Sequence, residues 1–224
     1  MKYFLYGLHR SGTNVLERSI GSNFPGFPSQ SNHTNFNKTW KHSFVGSECM
    51  PDEDVSIIIY KNLYTWLESV LIRAPFDGHH IYMSTEKQIP EFYKKIQSIQ
   101  SKHYFVNYIV TLEGMINIYF EFLKMHKQQI DLGKKVHFIS YEDLLHPESY
   151  EGIMKSLSKV FGIDHTPKIQ PIPSKVSLSP QYNKDSQNYY IAGNTRFFPQ
   201  DIIDVITNEK DDSMLNELNS IKLK

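Results

Sequence analysis

The sequence predicts an α/β fold, with a mainly parallel sheet flanked by helices, and three stretches predict it. Tyr3-Phe4-Leu5-Tyr6 is a short apolar run that breaks into a loop bounded by Gly7 and Gly12, after which Val15, Leu16 and Ile20 recur at helical spacing. Val55-Ser56-Ile57-Ile58-Ile59-Tyr60 is a β-branched run, and a second helical pattern follows it. Lys135-Val136-His137-Phe138-Ile139-Ser140 repeats the arrangement before Tyr141-Glu142-Asp143-Leu144-Leu145. An apolar run without polar alternation reads as a strand buried on both faces, the usual state of a parallel strand between helices.

The first strand starts at about Tyr3 and delivers the loop Gly7-Leu8-His9-Arg10-Ser11-Gly12-Thr13-Asn14 to a helix N-terminus. Backbone N–H groups in such a loop converge on one spot, and the helix dipole adds positive potential there. The spacing from Gly7 to Gly12 is that of a P-loop, but Thr13 stands where that motif needs Lys, and Asn14 where it needs a Mg²⁺-binding hydroxyl. Such a loop is poorly built for nucleotide hydrolysis. It can still hold a phosphate, with Arg10, Ser11, Thr13 and Asn14 as donors. A tight turn between strand and helix is the plain alternative for the same residues.

Ser22 to Asp54 is rich in Asn, Ser, Pro, Gly and Thr and reads as irregular loops, with one short strand around Thr39–Phe44. Its scattered aromatic residues argue for order, and the stretch is the expected place for a substrate pocket. The second strand ends at Lys61-Asn62, and the helix from Tyr64 to Leu71 is stopped by Ala74-Pro75. Pro75 to Pro90 reads as a second loop and a candidate lid. From Pro90 to about Gln129 the pattern is helical, with Phe105, Ile109, Leu112, Ile116, Tyr119, Phe120 and Leu123 forming one apolar stripe. Glu148 to Phe161 is a further helix closed by Gly162, and Thr166 to Asn188 is a proline-rich loop. A helix follows from Phe198-Pro199 to about Ile206, and Met214–Leu223 is a terminal helix expected to pack on the sheet. With no internal repeat or linker, residues 1–224 are expected to form a single domain.

The loop His9-Arg10-Ser11-Gly12-Thr13-Asn14 resembles the 5′-phosphosulfate loop of sulfotransferases. That family moves a sulfuryl group from 3′-phosphoadenosine 5′-phosphosulfate (PAPS) to a hydroxyl or amine, on a P-loop-related fold and without a metal. The second strand adds to the resemblance. In the family a strand ends in Arg, and a Ser eight positions later joins it on the cofactor's 3′-phosphate; Lys61 and Ser69 have that spacing here. Lys in place of Arg exchanges a bidentate fork for a point charge. Tyr141-Glu142-Asp143-Leu144 is similar to a stretch the family carries after a central strand, with the Tyr near the adenine. The resemblance therefore implies cofactor contacts from Arg10, Ser11, Gly12, Thr13, Asn14, Lys61, Ser69 and Tyr141. It also implies a basic His between the two phosphate elements, where Lys41-His42 lies; His33 and the pair His79-His80 compete for that role. Arg10 and His42 are thus the expected catalytic residues, as charge stabiliser and general base. The family's late Arg-Lys-Gly motif is absent, and Lys175 or Arg196 could supply its charge.

Lys plus Arg equals Asp plus Glu, at 24 each, so neither a nucleic-acid partner nor a membrane surface is favoured electrostatically. The single cysteine, Cys49, excludes an internal disulfide and suits a reducing, cytoplasmic setting. No signal peptide is expected ahead of the first strand, and no apolar run is long enough to span a bilayer. The resemblance implies a small-molecule or saccharide acceptor, and sugar, phenol, lipid and peptide hydroxyls and amines all stay open. A P-loop kinase or NTPase is the enzymatic alternative, and a non-catalytic nucleotide-binding relative is the other.

Overall fold

Three parallel strands form the centre of the protein, in the spatial order β1-β2-β5. The computed structural model describes residues 2–8, 10–31, 41–42, 48, 50–73, 88–90, 109–163, 168–172, 198 and 200–223. The expected lid over 75–87, the helical stretch 91–108 with Phe105, and the loop residues 173–188 lie outside them, as do His33, Cys49, His79, His80, Lys175 and Arg196. Of the strand expected around Thr39–Phe44, only Lys41 and His42 are described, and they form a turn.

The elements in chain order are β1 (Tyr3–Tyr6), α1 (Thr13–Asn23), β2 (Val55–Tyr60), α2 (Leu63–Arg73), β3 (Gln88–Pro90), β4 (Ile109–Thr111), α3 (Leu112–Asp131), β5 (Lys135–Ser140), α4 (Tyr141–Leu145), α5 (Pro147–Val160), α6 (Gln200–Glu209) and α7 (Asp212–Ile221). Tyr6 pairs with Ile58, and Tyr60 with Ser140, so the three strands end within about two residues of one another. Side chains alternate between two apolar layers. Phe4, Tyr6, Ile58, Tyr60 and Phe138 face α2, α3, α6 and α7, through Trp66, Tyr119, Phe122, Ile206 and Leu218. Tyr3, Leu5, Ile57, Ile59 and Ile139 face α1, α4 and α5, through Leu16, Ile20, Leu144, Ile153 and Leu157. β1 and β2 are buried on both faces, which is why they are apolar on both, while β5 begins with the exposed Lys135 and the half-buried His137.

Both edges of the small sheet are covered. Ser31 Oγ accepts the Leu5 N–H at 2.6 Å and donates to the Leu5 carbonyl at 2.8 Å, imitating a strand partner. Gln30 N–H donates to the Tyr3 carbonyl and Gly7 N–H to the Lys41 carbonyl, carrying this cover along β1 to the start of the loop. On the far side Leu223 N–H donates to the Phe138 carbonyl of β5. Unpaired backbone groups on an edge strand would otherwise template pairing with another chain.

The helical reading of Pro90 to Gln129 is corrected at its start. Gln88–Pro90 and Ile109–Thr111 form an antiparallel two-stranded ribbon, and α3 begins only at Leu112. Ile109-Val110-Thr111 is β-branched throughout and prefers an extended backbone, although Ile109 also falls on the apolar stripe. The same pairing makes 88–90 a strand rather than the end of a loop. The terminal helix expected over Met214–Leu223 spans Asp212–Ile221 and lies against β5 as expected.

Candidate functional site

The C-terminal ends of β1, β2 and β5 lie side by side, and each feeds a residue of the expected site into the same edge. Along β1 the feed is the loop 7–12. Gly7 is there because a Cβ would fall within 3.0 Å of Ser11 Oγ and of the Ile59 carbonyl. The loop turns through the Ser11 N–H bond to the Leu8 carbonyl at 3.0 Å, and Arg10 adopts a left-handed backbone with φ 69°. That conformation is uncommon outside Gly, Asn and Asp, and such backbones gather at ligand-binding turns. Gly12 caps α1 with φ 99° and no side-chain hydrogen bond, and the first turn of α1 carries no acid. The first amides of a helix have no intrahelical acceptor, so this end presents donors and positive potential, with no acid in its own first turn to meet them. Ser11 Oγ, in a residue 2% exposed, has no hydrogen-bond partner among the described residues. A buried hydroxyl left unmatched beside a bare helix start fits a site whose partner is an external anion.

The covered edge of β1 brings the second group. His42 Nδ1 lies 2.5 Å from the Gly7 carbonyl, and Lys41 Nζ donates to Asn14 Oδ1 at 2.6 Å. A neutral His42 ring bonded this way donates from Nδ1, which makes Nε2 the nitrogen able to take a proton. Both residues are buried, and burial lowers the Lys41 ammonium pKa, with Glu17 opposing the shift. Lys41 carries no separate sequence motif; its adjacency to His42 was the only signal for it.

The β2 and β5 ends hold the third group. Lys61 is buried, with Nζ 3.3 Å from Ser69 Oγ and 4.4 Å from the Tyr141 ring centroid. Ser69 donates its own proton to the Thr65 carbonyl at 2.7 Å, so an oxygen lone pair faces Lys61. The Tyr141 ring also packs on Gly12, where an added Cβ would fall within 3.0 Å of it. Tyr141 thus touches the loop on one hand and the Lys61 ammonium on the other. A cation over an aromatic face is worth about 0.5–2 kcal/mol, depending on desolvation.

The structure therefore links Gly12, Lys61, Ser69 and Tyr141 by contact, ties Asn14 to Lys41, and ties His42 to Gly7. Thr13 is buried at the helix start, and Arg10 is half-buried in the loop. Two structural residues were missed by the sequence reading. Asn62 accepts the Tyr64 and Thr65 N–H groups and caps α2. Glu142 lies in the first turn of α4 and is turned inward, with Asn62 N–H 3.0 Å and Ser140 Oγ 3.1 Å from its carboxylate oxygens. Burial raises its pKa, and the Asn62 bond and the Lys61 charge pull it back. A helix-start Asn was a legible cap signal; a partner 80 residues away was not.

No helix among the described residues is long and apolar enough to cross a membrane. Among the described residues no group of three or more His, Cys, Asp or Glu could hold a metal ion. Comparison of the chain with family models, with curated proteins and with solved structures returns no match in any of the three.

Proposed function

We propose that this protein is a PAPS-dependent sulfotransferase of P-loop-related architecture. The reading is carried by one observation: three sequence elements that resemble the family's donor-binding motifs converge at a single sheet edge, with Tyr141 in contact with Gly12 and Lys61. The residues suit the donor chemically. The buried Ser11 hydroxyl and the first amides of α1, which no side chain caps, offer donors to a 5′-phosphosulfate, and Lys61 with Ser69 offers a cation and a hydroxyl to a 3′-phosphate. PAPS supplies an activated sulfuryl group whose S–O bond to the 5′-phosphate breaks as the acceptor oxygen bonds to sulfur.

The chain's own residues have three tasks in that reaction. The loop 7–14 and Lys61 orient two anionic groups. Arg10 offsets charge that develops on the departing phosphate, a contribution of about 10²–10³ in rate. His42 Nε2 takes the acceptor's proton, worth about 10²–10⁴. The acceptor is a small molecule or saccharide bearing a hydroxyl or amine.

Calorimetric titration with 3′-phosphoadenosine 5′-phosphate (PAP) tests the proposal, in EDTA and then in Mg²⁺, beside ATP. Binding in EDTA is expected, and Lys61→Ala should weaken it by about 10–100-fold, the worth of a charge-assisted hydrogen bond. Binding of ATP alone, and only with Mg²⁺, would sink the sulfotransferase reading in favour of a kinase.

A further inference from the structure

We infer that Glu142 is the positioning residue of the Lys61 arm: its one carboxylate holds the β2–α2 and β5–α4 junctions at a fixed spacing. The inference rests on the reading of Lys61 as an anion-binding group. The β2–β5 ladder ends at the pair Tyr60 and Ser140, and the cation and its aromatic partner sit one residue beyond it on each side. Past that point the carboxylate takes over. Oε1 accepts the Asn62 N–H at 3.0 Å and lies 3.2 Å from the Thr65 hydroxyl, which is shared with the Asn62 carbonyl. Oε2 accepts the Ser140 hydroxyl at 3.1 Å.

Each of these partners adjoins a residue of the arm. Asn62 follows Lys61, Thr65 receives the Ser69 proton on its carbonyl, and Tyr141 lies between Ser140 and Glu142. The Lys61 carbonyl is pinned separately by the Tyr119 hydroxyl at 2.6 Å. The Lys61 backbone is thus held from α3 and from α4, and its ammonium meets Ser69 and the Tyr141 ring. A buried carboxylate is a costly tie between two strands, because apolar packing would join them without desolvating a charge. What a carboxylate adds is direction. Two oxygens address donors on two junctions and set the distance between the Lys61 cation and the ring that contacts the anion loop.

The test compares Glu142→Ala, Glu142→Gln and Thr65→Val with the parent protein in two assays. One is the calorimetric affinity ratio of PAP to AMP, which lacks the 3′-phosphate. The other is the acetylation rate of Lys61 by acetic anhydride, read by mass spectrometry relative to the half-exposed Lys155. In Glu142→Ala the ratio should fall, and the Lys61 rate rise, by about tenfold each, the equivalent of one lost hydrogen bond to a charged group. AMP affinity should hold. Gln can still accept from Asn62 and donate to Ser140, so Glu142→Gln should restore both readouts to within about threefold. Thr65→Val, which keeps the carboxylate and loses one donor, should shift both in the same direction and carries the test if Glu142→Ala does not fold. Unchanged Lys61 reactivity in the variants, equal weakening of both nucleotides, or a Gln variant as impaired as Ala would each overturn the inference. A parent protein that does not prefer PAP to AMP would remove the 3′-phosphate reading, while Lys61 reactivity would still decide the positioning role.

Discussion

At Gly12 a hydrogen stands where any other side chain would drive its Cβ into the Tyr141 ring, and φ of 99° adds a left-handed backbone that L-residues resist. Gly12→Ala should therefore lose about 1–3 kcal/mol from overpacking, with the backbone strain in addition. Gly26→Ala, where an added Cβ meets nothing within 4 Å, should stay within about 0.5 kcal/mol of the parent in the same urea titration. Lys41 makes a prediction of the opposite sign. Its ammonium pKa is lowered by burial, so between the folded value and 10.5 the unfolded chain binds more protons than the folded one. Stability arising from this residue thus increases with pH across that window, and below it the cost of the buried ammonium is carried in full. Lys41→Met should be more stable than the parent at pH 7, with the gap narrowing as pH approaches 10.5. Urea titrations at two pH values check it, and a variant less stable at pH 7 would mean that the bond to Asn14 outweighs desolvation.

Elements built from contiguous signals were the legible ones. β1, β2 and β5 follow from short runs rich in apolar and β-branched residues, and α5 from an apolar stripe closed by Gly162, whose φ of 66° ends the helix. The start of α2 carries a local signal that the sequence reading passed over, Asn62, whose side chain accepts two of the helix's first amides. Asn62→Ala should cost about 1 kcal/mol by thermal or urea unfolding, as the loss of an N-cap does elsewhere. The ribbon of β3 and β4 was not legible, because Ile109 satisfies a helical period and a strand propensity at once, and only a partner at Gln88–Pro90 decides between them. The same holds for Ser31, which becomes a strand mimic only where Leu5 presents an open edge 26 residues earlier.

Across the described residues the two apolar layers explain why the candidate site lies at the C-terminal ends of the strands. Helices close both faces, Gln30, Ser31 and Lys41 cover one side edge, and Leu223 meets the other, so the C-terminal ends of the strands are where loops collect. Leu218 of α7 is fully buried in the layer that contains Phe138 and Trp66, at the far end of the chain from the loop 7–14. Leu218→Ala should cost about 2–5 kcal/mol, the usual penalty for a core cavity. Calorimetric unfolding checks it, and a loss below about 1 kcal/mol would show that α7 is not integral to the core.

Local chemistry determined the α/β class, the order of its parallel strands along the chain, the anion-suited loop at Gly7–Asn14 and the candidacy of Lys61, Ser69 and Tyr141, since each depends on residues within a few positions of one another. Tertiary structure decided which of these meet. That Tyr141 packs on Gly12, that Lys41 reaches Asn14, and that Glu142 spans two junctions are properties of register between strands. Register is set by how whole apolar faces pack, and no short window of sequence contains that information.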